Sequence, residues 1–79
     1  MLTIVARTLI CTSIIEFLNS FGSEIEYQYT APEYLAENEI AVFLIKGKKD
    51  DLGAIKGFMR SAYDTYSVMA AFFLEKEER

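Results

Sequence analysis

Asp64-Thr65-Tyr66-Ser67, followed by Val68-Met69-Ala70-Ala71-Phe72-Phe73-Leu74, is the stretch whose reading decides the fold. Two readings compete. Leu52, Ile55, Met59, Ala62, Tyr66, Met69 and Phe73 recur at a spacing of three to four residues. That pattern suits one long helix from Asp51 to about Glu77, helped by strong helix formers such as Met, Ala, Leu, Glu and Lys. Against it, Asp64 to Ser67 is a patch of weak helix formers. Val68 to Leu74 is also a continuous apolar run of strand length, ended by charges. We take it as a strand, which completes the order βαββαβ.

Upstream of this stretch, Asp50 or Asp51 is placed to cap a second helix and to complement its dipole. Leu52, Ile55, Met59 and Ala62 mark the expected buried face. Gly53 and Gly57 each cost a helix roughly 1 kcal/mol relative to Ala. Their bland explanation is close packing against a sheet, and the functional one is close approach of a ligand. We favour packing. Ile40 to Lys46 is the most hydrophobic strand candidate, and Gly47 breaks it. Val42 and Leu44 face one way and Ala41, Phe43 and Ile45 the other, so both sides read as buried.

Earlier still, Ile25, Tyr27 and Tyr29 alternate with Glu24, Glu26 and Gln28, the pattern of an edge strand with one polar face. Pro32 ends it, and Ala31 to Glu39 forms a connector carrying Tyr34 and Leu35. Leu2 to Leu9 is apolar on both alternating faces and suits a central strand. Thr12 and Ser13 are good N-cap types, and Glu16 follows Ser13 by three residues, as in a capping box. Ile14, Ile15, Phe17, Leu18 and Phe21 then form one apolar stripe. Gly22 stands where a helix end needs a positive φ.

These elements predict a single α+β domain over 1–79. It is a ferredoxin-like βαββαβ sandwich, a four-stranded antiparallel sheet with two helices on one face. The first and third strands are central, the second and fourth are edges. With both helices on one side, the other side exposes Val5, Phe43 or Val42, and Phe72 or Phe73. Burying even ~400 Å² of such a face offers roughly 10 kcal/mol of gross driving force, much of it offset by association costs. A homo-oligomer is expected, a dimer or a tetramer of dimers.

Composition agrees. A chain of 79 residues that is 52% hydrophobic is too apolar for intrinsic disorder. A domain of this size buries only about 60% of its unfolded surface, so self-association is a natural supplement. No apolar run approaches the roughly 20 residues of a membrane span. Met1 to Cys11 lacks the basic start and cleavage site of a signal peptide. With a single cysteine as well, the chain reads as cytoplasmic.

Twelve acids against eight bases give a net charge of −4. Direct nucleic-acid binding, which wants a basic stripe, is not expected. Lys46, Lys48 and Lys49 run straight into Asp50 and Asp51 and read as a solvated strand end. There is no His, so the commonest general base and transition-metal ligand is missing. No phosphate-binding or nucleophile motif appears. Glu37, Glu39, Glu75, Glu77 and Glu78 read as surface. We expect no enzyme, no metal and no cofactor. Cys11 reads as a small buried hydrophobe. A redox role through a lowered pKa at a helix start is the lesser alternative.

The stretches Leu2-Thr3-Ile4-Val5-Ala6-Arg7, Ile15-Glu16-Phe17-Leu18-Asn19-Ser20-Phe21-Gly22 and Glu24-Ile25-Glu26 resemble the opening of an ACT domain. Ala36 to Ile45, with Asp50-Asp51-Leu52-Gly53-Ala54-Ile55, resembles the small stand-alone ACT-like proteins known as iron-only hydrogenase system regulators. Those are similar in fold to the C-terminal domain of nickel-responsive repressors. The resemblance implies a self-associating regulatory domain that senses a small molecule, or a transcriptional regulator acting through a partner. It departs from the family in its first loop, Thr8-Leu9-Ile10-Cys11-Thr12, which has no Gly or Pro. Lacking His, it also cannot carry the repressors' nickel site.

On that reading a ligand sits between subunits near the first loop, contacted by Arg7, Thr12 and Ser13. The plain alternative is that Thr12 and Ser13 cap the helix and Arg7 pairs with an acid. A second resemblance, to bacterial microcompartment shell proteins, rests on Val5-Ala6-Arg7-Thr8-Leu9 and on Ile45-Lys46-Gly47 before Leu52-Gly53-Ala54-Ile55-Lys56. It implies a non-catalytic interaction or assembly module, either a shell-like tile or an acidic inhibitor of a partner.

Overall fold

A computed structural model describes residues 1–30 and 39–73. The expectations for Pro32, Tyr34, Leu35, Glu37, Leu74 and the acids after it lie outside those residues. The first strand, β1 (Leu2–Arg7), leads through a 3-10 turn at Thr8–Ile10 into helix α1 (Cys11–Asn19). Strand β2 (Ile25–Thr30), strand β3 (Ile40–Gly47), helix α2 (Lys49–Ala62) and strand β4 (Val68–Phe73) follow. Within the deciding stretch Val68–Phe73 is a strand and does not continue the helix.

The turn before β4 explains why. α2 ends at Ala62, and Tyr63 already has extended backbone, φ −124° and ψ 147°. Asp64 then gathers the next amides. Its carbonyl oxygen accepts from the backbone N–H of Ser67 at 3.2 Å and of Val68 at 3.0 Å. Its carboxylate accepts from the Ser67 N–H at 2.9 Å. An Asp that bonds its own neighbouring backbone offers the chain an alternative to the helix.

The sheet order is β2-β3-β1-β4, with every neighbouring pair antiparallel. β1 and β3 are therefore central and β2 and β4 are the edges. Leu2, Ile4 and Ala6 face Ile45, Phe43 and Ala41 across the β1–β3 ladder, and all six are fully buried. They join Cys11, Ile14 and Leu18 of α1 and Leu52, Ile55 and Met59 of α2 in one hydrophobic cluster. Both helices thus pack on the same side of the sheet. Between the helices the Phe17 and Phe58 rings stack, with centroids 4.3 Å apart. Tyr27 of β2 donates its hydroxyl to Asn19 Oδ1 at 2.7 Å and fastens the edge strand to the end of α1.

Several local expectations are corrected. Thr12 and Ser13 do not cap α1. The 3-10 turn carries the chain into the helix one step earlier, so Ile10 is the N-cap and makes no side-chain bond. Lys48 likewise precedes α2, which places Asp50 and Asp51 inside the first turn. There they complement the helix dipole without capping it. Ala62 is exposed, because the stripe of Leu52, Ile55 and Met59 turns away from it within the last turn. Gly53 and Gly57 are exposed too, and a Cβ on either would meet nothing within 4 Å. Close packing does not explain them. Val42 and Leu44 are only half-buried, so β3 is closed on one side alone. Gly22 has φ +63°, as a chain turning out of a helix requires.

The glycines give opposite expectations. Gly53→Ala and Gly57→Ala will each stabilise the fold by about 0.5–1 kcal/mol, since they add helix propensity at no steric cost. A Cβ on Gly47 would lie 2.8 Å from Ile25 Cγ2 and 3.4 Å from the Glu24 carbonyl oxygen. Gly47→Ala will therefore destabilise by about 1–3 kcal/mol, the range for overpacking. Urea unfolding followed by circular dichroism reads all three.

Candidate functional site

Arg7 ends β1 on the side of the sheet away from the helices, because side chains alternate along a strand and Ala6 points into the core. Its Nε donates to the Tyr66 carbonyl oxygen at 3.1 Å, and its guanidinium lies 4.6 Å from the centroid of the Tyr66 ring. Its backbone N–H donates to the Ser67 carbonyl at 2.8 Å. Arg7 thus fastens β1 to the segment leading into β4, through a carbonyl and a ring face. Thr12 and Ser13 lie exposed in the first turn of α1, on the opposite side of the sheet. The structure does not gather these three residues around one hollow.

Two hollows do appear among the described residues. One, of about 110 Å³, lies against β2 and β3 and is lined by Met1, Glu26, Tyr27, Gln28, Leu44 and Lys46. The other, of about 350 Å³, runs between the end of α2 and the outer edge of β4. Arg60, Tyr63, Thr65, Val68, Met69 and Phe72 contribute to its walls. Neither includes Arg7, Thr12 or Ser13. The larger one reaches only the lower end of the range for small-molecule pockets. No motif marked Arg60, Tyr63 or Thr65. They meet β4 only because the chain reverses at Asp64.

The sheet also presents an open face on the side away from the helices. Register places Gln28, Leu44, Thr3 and Phe72 in one row across the four strands. Thr30, Val42, Val5 and Ala70 form the next. Of the residues expected here, Val5, Val42 and Phe72 are present. Phe43 is not, being fully buried on the helix side. Phe72 is 40% exposed and Ile40, opposite Arg7, is 44% exposed. The centre of the face is apolar. Apart from the shielded Thr3, its polar members lie at the margins, Glu26, Gln28 and Thr30 on β2, Lys46 opposite Glu26, and Arg7 at the end of β1.

Cys11 is buried, and burial pushes its thiol above the ordinary value. A thiol shifted that way is less reactive at neutral pH, which corrects the lowered-pKa reading. Among the described residues no three His, Cys, Asp or Glu side chains come together as a metal would need. No helix among them is long and apolar enough to cross a membrane. Comparison with known families, curated proteins and solved structures finds no match to this chain.

Asp64 is the acid whose environment carries a consequence. The Ser67 N–H holds its carboxyl below the ordinary 3.8, favouring the charged form in the folded state. This contribution is present above that ordinary value and is lost as pH falls through the lowered one. Asp64→Asn will be less stable than wild type near neutrality. The two will converge at the acid end of a series of urea titrations run from pH 7 downward.

Proposed function

We propose that this chain is a non-catalytic, cytoplasmic regulatory domain that works as a homo-oligomer, a dimer or a tetramer of dimers. Its architecture is of the ferredoxin-like, ACT-like kind, and it resembles the iron-only hydrogenase system regulators. It senses a small molecule near the first loop through Arg7, Thr12 and Ser13, or acts on transcription through a partner. It does not contact nucleic acid itself. The open sheet face carries the reading. An apolar patch left uncovered by the domain's own helices is the common mark of an interface. Stacking two such faces sets Val5, Val42, Leu44 and Phe72 against their copies and brings two first loops into one particle.

The alternative is an interaction or assembly module with no small ligand, a shell-like tile or an acidic inhibitor. Two observations favour it. Arg7 is already engaged with Tyr66, and neither hollow reaches Thr12 or Ser13.

Two measurements separate these readings. In light scattering at micromolar concentration the wild type will run above monomer mass. Val42→Lys with Leu44→Glu will lower that mass with the circular dichroism unchanged, and a sharp wild-type monomer would sink the oligomer. In a thermal-shift screen against amino acids and nucleotides, a sensor gains Tm with its ligand as mass action requires. Arg7→Ala then loses that gain. No stabilisation by any compound removes the sensor and leaves the assembly module.

A further inference from the structure

We propose that the outer edge of β4 pairs antiparallel with β4 of a second copy, joining two four-stranded sheets into one of eight. The backbone edge is a different contact from the open face, although Ala70 and Phe72 border both, and the inference goes beyond the reading above.

β4 pairs on one side with β1, and among the described residues no strand lies beyond it. Its outer row of amide and carbonyl groups is a template for another strand. Proteins usually defend such an edge with charge, Pro or a bulge. β2, the other edge, carries Glu26 and Gln28. β4 reads Val68-Met69-Ala70-Ala71-Phe72-Phe73 and carries no charge. Its one irregularity is near its start, where the register with β1 skips Met69. From Ala70 to Phe73 it pairs regularly with Val5 to Leu2.

Charge selects the occupant. Each chain bears −4, so two copies repel except where they present no charge. A β2–β2 junction brings Glu26 toward its own copy, and like charges across a ladder are unfavourable. A β4–β4 junction sets apolar residues opposite apolar residues. It is also self-complementary and closes on a two-fold axis, whereas β4 against β2 would propagate without end.

The surroundings supply area. A standard interface removes about 800 Å² from each partner, a modest share of this molecule's 5079 Å². Tyr66, Met69 and Phe72, exposed by 50%, 38% and 40%, stand at or beside the edge. The 350 Å³ groove between β4 and α2 gives partner side chains a place to enter.

A two-fold axis normal to the sheet passes through a facing pair, so one residue of β4 lies opposite its own copy. Facing pairs have Cβ atoms close enough for a disulfide. The test is a cysteine scan in the full chain carrying Cys11→Ser. Met69→Cys, Ala70→Cys, Ala71→Cys and Phe72→Cys are compared with Gln28→Cys on the β2 edge and Val42→Cys on the open face. Under mild oxidation one β4 position should form covalent dimer at least about tenfold faster than Gln28→Cys, as a facing geometry allows. Met69→Lys, at an exposed site that leaves the core alone, should halve the particle mass in light scattering. The proposal is overturned if no β4 position outpaces Gln28→Cys, or if Met69→Lys leaves the mass unchanged. Rapid cross-linking at Val42→Cys alone would uphold the open-face contact and overturn the edge.

Discussion

Two helices can cover only one face of a four-stranded sheet, and every other property of this molecule follows from that shortage. The alternation of side chains along β1 and β3 sends Leu2, Ile4, Ala6, Ala41, Phe43 and Ile45 toward the helices, where they are fully buried. The residues between them go the other way and remain largely apolar without a layer to meet. Thr3 shows how far the strands compensate. It sits on the open side between Leu44 and Phe72, yet is only 7% exposed. Neighbouring side chains shield the middle of this face, and its margins at Ile40 and Phe72 stay open.

The strands and their order were readable because period-two patterning reports directly on burial. The polar run of Glu24, Glu26 and Gln28 marks an edge, and the doubly apolar β1 and β3 mark the centre. Where the reading failed, residue types did not fix where a helix starts, which way its small residues face, or whether a second layer exists. Thr12 and Ser13 look like caps until the 3-10 turn at Thr8–Ile10 starts the spiral ahead of them. Gly53 and Gly57 invite a packing explanation, yet the stripe of Leu52, Ile55 and Met59 sets them on the outer surface, where nothing approaches. β3 seemed closed on both sides because strand periodicity reveals apolarity but not whether a second layer exists. The site was less legible than the fold. Arg7 is the one candidate with a defined environment, and its partner Tyr66 lies 59 positions along the chain.

Short polar contacts fix the places where the chain changes direction. Asp64 holds the Ser67 and Val68 amides, Tyr27 holds Asn19, and Ser20 Oγ donates to the Phe17 carbonyl at 2.6 Å near the end of α1. The Asp64 and Ser20 bonds satisfy backbone groups that an ending helix leaves without partners, and the Tyr27 bond ties the edge strand to the last residue of α1. The apolar cluster provides the driving force, and these contacts select which of its competing arrangements is reached. At Val68 the competition was between more helix and a fourth strand, and the Asp64 turn resolves it.

The pairing of β1 has a consequence for how the molecule is made. This strand is made before either of its neighbours, β3 and β4, and Leu2 comes to rest beside Phe73. Until β4 arrives, β1 is itself an edge. Such long-range closure folds slowly compared with local contacts. Before β4 joins, a β2-β3-β1 intermediate has β1 bare on one flank, an unpaired strand of the kind that makes partly folded chains prone to aggregate.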